Sequence, residues 1–393
     1  MAQPVRSQER RNLRRTQLLT AAARLFQEFG YHNVSMDDIA TAVGITGPAL
    51  YRHFRNKHDV LAQALMSQLS AVEGTARRAL ELPPDQRLAA FHAELSAVVM
   101  EREEALLWKR ERRHLTGVEQ TEFRQRLRDV LDLTLQILSA TRPDLAGQEA
   151  ALLGWAVLSV YSNTRDYRHE LDRGRTPELL TRMSAALLEC DLAAVPEPRP
   201  APAVPLDRIP AGRRERILHA AVDLFDARGY YAVSIEDIAA AADVAIATLY
   251  QHFSGKVELL HAVLARGAEG VAYVVTHRLA YAPTPTECLD VLVDTFVELA
   301  LGPHRRLLGI LAADLLYLPP EGQQVIRKSE REFVEEWVVA LCAVRPELGT
   351  AEARGLAQSA IGIVIDLAQT PGLRARPTFR GELHMLANAL LHS

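Results

Sequence analysis

The 393 residues predict an all-α protein made of two tandem units, each a three-helix head with a helix-turn-helix followed by a helical-bundle body. Three observations predict it. Apolar residues recur at helical spacing through most of the chain, and no stretch alternates with strand period over a useful length. The stretch Ser35–Lys57 returns at a constant shift of 199 residues as Ser234–Lys256. Between Gly30–Lys57 and Gly229–Lys256 there are 13 identities in 28 positions without a gap, which marks a unit duplicated whole.

The order of elements begins with a basic, disordered arm at residues 1–12, rich in Arg6, Arg10 and Arg11. Leu18, Leu19, Ala22, Leu25, Phe26 and Phe29 then mark a helix over Leu13–Phe29. Ser35 opens a Ser-x-x-Asp start signal, Ile39, Ala40 and Val43 form one apolar face, and Gly44 can take the left-handed ending. Thr46 stands where a second helix would be capped, and Pro48 is tolerated in its first turn. A head over 13–58 therefore gives way to a body over 59–194, with helices expected at His58–Leu80, Asp85–Met100, Glu104–Leu115, Glu119–Ala140, Gln148–Thr164 and Pro177–Leu192.

Residues 195–210 hold six prolines in sixteen positions and mark the boundary. Such a segment spans roughly 45–50 Å as polyproline II. DNA half-sites one turn apart are about 34–36 Å apart, so the tether lets both heads reach one duplex. The second head is expected over 211–257 and the second body over 258–393. Arg142-Pro-Asp-Leu145 reappears as Arg345-Pro-Glu-Leu348, now shifted by 203.

Both heads share an apolar first helix ending in Leu-Phe and Gly-Tyr, then Ser…Asp-Ile-Ala, then Leu-Tyr-x-His-Phe…Lys. This run resembles the DNA-binding domain of TetR-family repressors. The chain as a whole is similar to the actinobacterial double-TetR repressors, in which one polypeptide holds two units. Leu107–Glu111 is similar to the first body of one that controls a mammalian-cell-entry (lipid-import) operon. The resemblance implies that the last two helices of each half pair in a four-helix bundle, here within one chain as a pseudo-dimer, with a homodimer as a further possibility.

The expected DNA contacts in the first head are Ser35, Thr46, Gly47, Pro48, Tyr51, Arg52, His53 and Lys57. Arg52 has the fork that pairs with guanine, and Lys57 and Arg55 suit phosphates. In the second head the corresponding set is Ser234, Ala245, Ile246, Thr248, Tyr250, Gln251, His252 and Lys256. Asp243 replaces Gly44, and Ala245, Ile246 and Ala247 replace Thr46, Gly47 and Pro48. The second head therefore either reads a different sequence or no longer reads one.

Charge separates the heads further. The chain carries −4 overall, but residues 1–57 carry +5, residues 207–256 carry −1 and the remainder −8. Phosphate attraction supplies most non-specific DNA affinity, so the first head is the better equipped. Trp108, His114, Phe123, Trp155 and Tyr161 in the first body, and Tyr317 and Trp337 in the second, are candidates to line effector pockets, against the simpler reading that they are core.

No run approaches the length of a membrane span, and the Arg-rich start lacks the apolar core of a secretory signal. Cys190, Cys288 and Cys342 lack metal-type spacing and suit a reducing cytoplasm. There is no Gly-rich phosphate loop, Gly-x-Ser-x-Gly, His-Glu-x-x-His or Cys-x-x-Cys, so neither catalysis, cofactor nor metal is expected. The leading expectation is a cytoplasmic repressor released from an asymmetric operator by a small lipid-like or aromatic effector. The alternatives are an effector-independent architectural DNA-binding protein, or a helical adaptor or enzyme that binds no DNA.

Overall fold

The computed structural model describes residues 3–101, 107–145, 147–164, 167–172, 174–196 and 209–393, without the side chains of residues 3–12 and Pro371. Every regular element among the described residues is helical. Most of the linker, 197–208, lies outside them. The chain divides into two compact units, residues 1–145 and 146–393.

The first unit holds α1 (Gln3–Phe29), α2 (Met36–Ala42), α3 (Gly47–Tyr51), α4 (Lys57–Leu80), α5 (Pro84–Glu101), α6 (Leu107–Glu111) and α7 (Gly117–Leu138). Helix α1 begins at Gln3, so the segment 3–12 expected as a disordered arm continues the helix instead. Its Gln, Glu and Arg residues are good helix formers, and Pro4 sits in the first turn where its missing N–H is harmless. Helix α4 starts at an Asn56 cap, whose Oδ1 accepts from the Asp59 amide at 2.9 Å. Its Val60, Leu61, Leu65 and Leu69 are buried, the first two against the head. Helices α5 and α7 pack against it, α7 from its first turn, where His58 meets Glu119 at 2.6 Å.

The second unit begins with α8 (Gly147–Ser162) and α9 (Arg175–Leu188), which the sequence placed in the first body. It continues with α10 (Arg213–Arg228), α11 (Ile235–Ala241), α12 (Ile246–His252), α13 (Lys256–Leu279), α14 (Pro285–Leu301), α15 (Arg305–Asp314) and α16 (Pro320–Val344). It closes with α17 (Thr350–Ala368), the short α18 (Pro371–Arg374) and α19 (Phe379–Leu391). Helix α8 packs on α9 and α17, and α19 on α9 and α17, which makes a four-helix bundle from both halves of the chain. The reason is surface. Leu152, Leu153, Ala156, Val157 and Val160 of α8 are apolar almost all round, and Leu356, Ala357, Ala360, Ile363 and Val364 of α17 match them.

Helices α13, α14 and α16 form the second body. Trp337 of α16 is fully buried there, 6.2 Å from the Phe296 ring and 6.1 Å from that of Phe333. Its indole N–H has no acceptor among the described residues. The ring therefore stabilises by area and shape alone. Trp337→Phe should stay within ~1 kcal/mol of the native protein, because a stranded donor leaves with the lost volume, whereas Trp337→Ala should cost about 3–5 kcal/mol. Chemical denaturation of the three proteins checks it; equal losses would mean that the N–H is bonded.

Candidate nucleic-acid interface

In the first head the recognition segment is fixed from both ends. The Ser35 Oγ accepts from the Asp38 amide at 3.1 Å, and the Ser35 amide donates to Asp38 Oδ2 at 2.8 Å, a complete capping box. The Ser35 hydroxyl and amide hold the Asp38 carboxyl below its ordinary range. After α2, Gly44 takes φ +66°, and the Ile45 amide returns to the Ala40 carbonyl at 3.0 Å. That turn aims α3. Ile39, Leu50 and Phe54 are buried beneath it, and the Arg15 guanidinium lies 5.5 Å from the Phe54 ring centre.

What remains outside is a single polar face. Ser35, Thr46, Pro48, Tyr51 and Arg52 are exposed, and Gly47 and His53 are half-buried beside them. Thr46 occupies the cap position of α3, but its hydroxyl makes no capping bond, contrary to the expected role. The carbonyl does the local work instead, accepting from the Ala49 amide at 3.0 Å. A Cβ at Gly47 would fall 2.9 Å from Asp37 Oδ1, the end of an exposed side chain that can turn aside.

The second head repeats this scaffold with different chemistry. Ser234 and Asp237 form the same box, and Leu249 and Phe253 are buried with Arg214 5.2 Å from the Phe253 ring centre. Asp243 adopts φ +52° at the place of Gly44, the only such non-glycine among the described residues. An L-residue in that region costs roughly 1 kcal/mol, although Asp is among the types that tolerate it. Ala245, Ile246, Ala247, Tyr250, Gln251 and His252 are exposed and Thr248 half-buried. Tyr51 and Tyr250 are presented equally, at 55% and 52%.

Lys57 and Lys256, two of the expected DNA contacts, each hold backbone carbonyls. Lys57 Nζ donates to the Tyr31 and His32 carbonyls at 2.9 and 3.4 Å and lies 4.5 Å from the Tyr31 ring centre. Lys256 Nζ repeats this on the Tyr230 and Val233 carbonyls at 3.0 and 2.9 Å, 4.4 Å from the Tyr230 ring centre. Each ammonium pins the loop after the first helix through its backbone carbonyls and an aromatic ring. Burial pushes both amines down. The paired Tyr and Lys identities 26 residues apart carried this signal in the sequence.

The same loop meets the body. In the first unit, Arg110 Nη2 caps α1 by donating to the Phe26 and Gln27 carbonyls at 2.6 and 3.0 Å, and its Nε donates to the buried Glu111 at 2.6 Å. His114 Nε2 lies 3.1 Å from Glu111 Oε2, and the His114 ring sits 4.8 Å from those of both Tyr31 and His32. Burial pushes the Glu111 carboxyl up, but the His114 bond and the Arg110 guanidinium outweigh it and leave it below the ordinary range. His32 is lowered to about 4, by burial first and then by His114 and Lys57. In the second unit, at the shift of 203, Tyr317 replaces His114 and packs 5.9 and 4.6 Å from the Tyr230 and Tyr231 rings.

Of the seven effector candidates, three lie in the first unit and four in the second. His114 and Tyr317 belong to these head–body joints. Trp108 and Phe123 are 6.5 Å apart in the core beside the first head, with Arg112 over Trp108. Tyr161 is buried and Trp155 half-buried on α8, and Trp337 lies in the second body.

The family described as "Bacterial regulatory proteins, tetR family" matches residues 18–64 and 217–263. Both heads belong to the TetR family. The chain thus carries two TetR heads in tandem, each match spanning the box, the turn, the exposed face and the Lys pin. The HTH-type transcriptional activator FasR of Mycolicibacterium smegmatis is 38% identical over 77 residues, 20% of this chain and 35% of that protein. The HTH-type transcriptional repressor KstR2 of Rhodococcus jostii is 33% identical over 135 residues, 30% of this chain and 64% of that protein. The chain thus spans between about a third and two-thirds of these curated relatives. The solved ketosteroid transcriptional regulator KstR2 of Mycobacterium tuberculosis aligns at TM-score 0.40 and 20% identity, covering 47% of this chain and 97% of that one.

Two outcomes follow for the TetR heads. Lys57→Ala should lower the stability of the first head by about 1–3 kcal/mol while leaving the salt dependence of DNA binding unchanged. A shallower salt slope with unchanged stability would return Lys57 to the phosphates. The second outcome concerns acid. With His32 at about 4 against 6.5, the folded head binds fewer protons than the unfolded chain across that window. The first joint therefore loses stability as pH falls from 6.5 towards 4. Amide protection at Gly30–Val34 should drop relative to Gly229–Val233, and His32→Tyr should reduce the difference to what Glu111 leaves near the lower end of the window. The local readout is needed because burial also lowers His92, on α5, to about 4. Equal acid sensitivity of the two loops would refute the assignment.

Proposed function

We propose that the chain is a cytoplasmic transcription regulator, a repressor, that grips duplex DNA with two unlike TetR heads and lets go when a small molecule occupies one or both bodies. The observation that carries this is the pair of exposed faces on capped, buried-core scaffolds, Thr46–His53 and Ala245–His252. Each face has the build of a helix that enters a major groove. KstR2, named a transcriptional repressor, supports the sign of regulation chosen here, whereas FasR is named an activator; no helix among the described residues is long and apolar enough to cross a membrane.

Within the first head, Ser35, Thr46, Gly47, Pro48, Tyr51 and His53 supply backbone and edge contacts, and Arg52 reads guanine. In the second head Tyr250 and Gln251 take the corresponding positions, with Ile246 against a thymine methyl. Gln251 prefers adenine where Arg52 prefers guanine, so the two half-sites differ in sequence.

Fragments of the DNA upstream of the gene, titrated by fluorescence anisotropy, test the reading. Arg52→Ala should weaken specific binding by roughly 1–3 kcal/mol and relax one base position. Matched losses from Tyr51→Ala and Tyr250→Ala would show both heads at work. Silence from Tyr250→Ala would leave the second head as scaffold, and failure of the native chain to bind any fragment would overturn the proposal.

A further inference from the structure

Helices α8 and α17 are counterparts at the shift of 203 residues, so their contact sets each repeat against its own copy. In such a two-fold arrangement equivalent positions face one another. Asn163 is equivalent to Asp366, and Ser159 to Gly362. Asn163 Nδ2 donates to Asp366 Oδ2 at 3.1 Å, across the seam. The same carboxylate oxygen accepts from Ser159 Oγ at 2.5 Å and lies 3.5 Å from Ser162 Oγ. On the other side of the pseudo-axis, Asn163 lies over Gly362, where a Cβ would come within 2.4 Å of its Cγ and Nδ2.

The four residues fit only as a mixed set. Two copies of α17 would set carboxylate against carboxylate, and Gly362 would offer neither of them a hydroxyl. Two copies of α8 would put Asn163 over Ser159, whose Cβ fills the space that Gly362 leaves open. The first self-pairing fails on charge and the second on volume. Ion pairs flank the seam in the same one-sided way: Arg354 Nε donates to Glu170 at 2.9 Å, while the positions equivalent to these two are Ala151 and Leu373.

We infer that Ser159, Asn163, Gly362 and Asp366 form a pairing lock that admits α8 only to α17, so the bundle joins unlike halves and rejects a second copy of either. Negative design of this kind sets specificity by penalising the wrong partner as well as by rewarding the right one. The tether at 195–210 then favours the α17 of the same chain by effective concentration. Its bearing on the operator, that every DNA-bound bundle carries one head of each kind, rests on the function proposed above; the lock itself does not.

The test is an exchange experiment on the full chain without DNA. Ser159→Gly with Asn163→Asp makes the first seam a copy of the second and should lower the bundle's thermal midpoint by about 5 °C or more. Gly362→Ser with Asp366→Asn should lower it similarly through overpacking. All four substitutions together exchange the seams and should restore the midpoint to within about 2 °C of the native chain. Helix propensity is balanced in the fourfold variant, because one glycine is lost and one gained. Hydrogen exchange of α8 and α17 amides localises the change. A half-variant as stable as the native chain, or a fourfold variant no better than the weaker half-variant, would overturn the lock.

Discussion

The contact between α8 and α17 decides what kind of molecule this chain is. A TetR head alone buries little and must be carried by a larger body. Here the most apolar helix of each half finds its partner in the other half, within the unit formed by residues 146–393. The polar residues along that seam, Ser159, Asn163 and Asp366, are satisfied by one another. Burying a polar group costs free energy unless it is paired, so the seam also favours the surfaces that belong together.

On that base the two heads are one scaffold with two chemistries. The Ser–Asp box, the aromatic floor under the recognition segment and the Lys pin on the first loop are the same in both. What differs lies outside the core, where substitution is free: Thr46, Gly47 and Pro48 against Ala245, Ile246 and Ala247. The joints to the bodies differ too. The first uses Arg110, Glu111 and His114, groups that carry or can take charge, while the second stacks Tyr230, Tyr231 and Tyr317. The two heads thus answer to their bodies through different forces.

Much of this was legible in the sequence, and the exceptions have physical causes. Helix positions followed from apolar period and turn residues: the helices expected over Leu13–Phe29 and His58–Leu80 end at Phe29 and Leu80. The duplication by itself marks both heads. The basic segment after Gln3 was misread because a polar run says nothing about whether a helix behind it continues. The carbonyl contacts of Lys57 and Lys256 are not legible in one dimension, because a lysine beyond a recognition helix shows nothing of the distant loop it reaches. His114 and Tyr317 look like pocket aromatics in one dimension, and only the fold brings them to the loops after Gly30 and Gly229. The lock at Asn163 and Asp366 needs the 203-residue register and the helix contact together.

The central claim is that one polypeptide presents two different TetR heads to one stretch of DNA. Footprinting of the adjacent intergenic DNA, with the mass of the complex measured by light scattering, tests it most directly. The account predicts a single chain on a site whose two arms differ in sequence and in degree of protection. A perfect inverted repeat, protected equally on both arms by two chains, would contradict it.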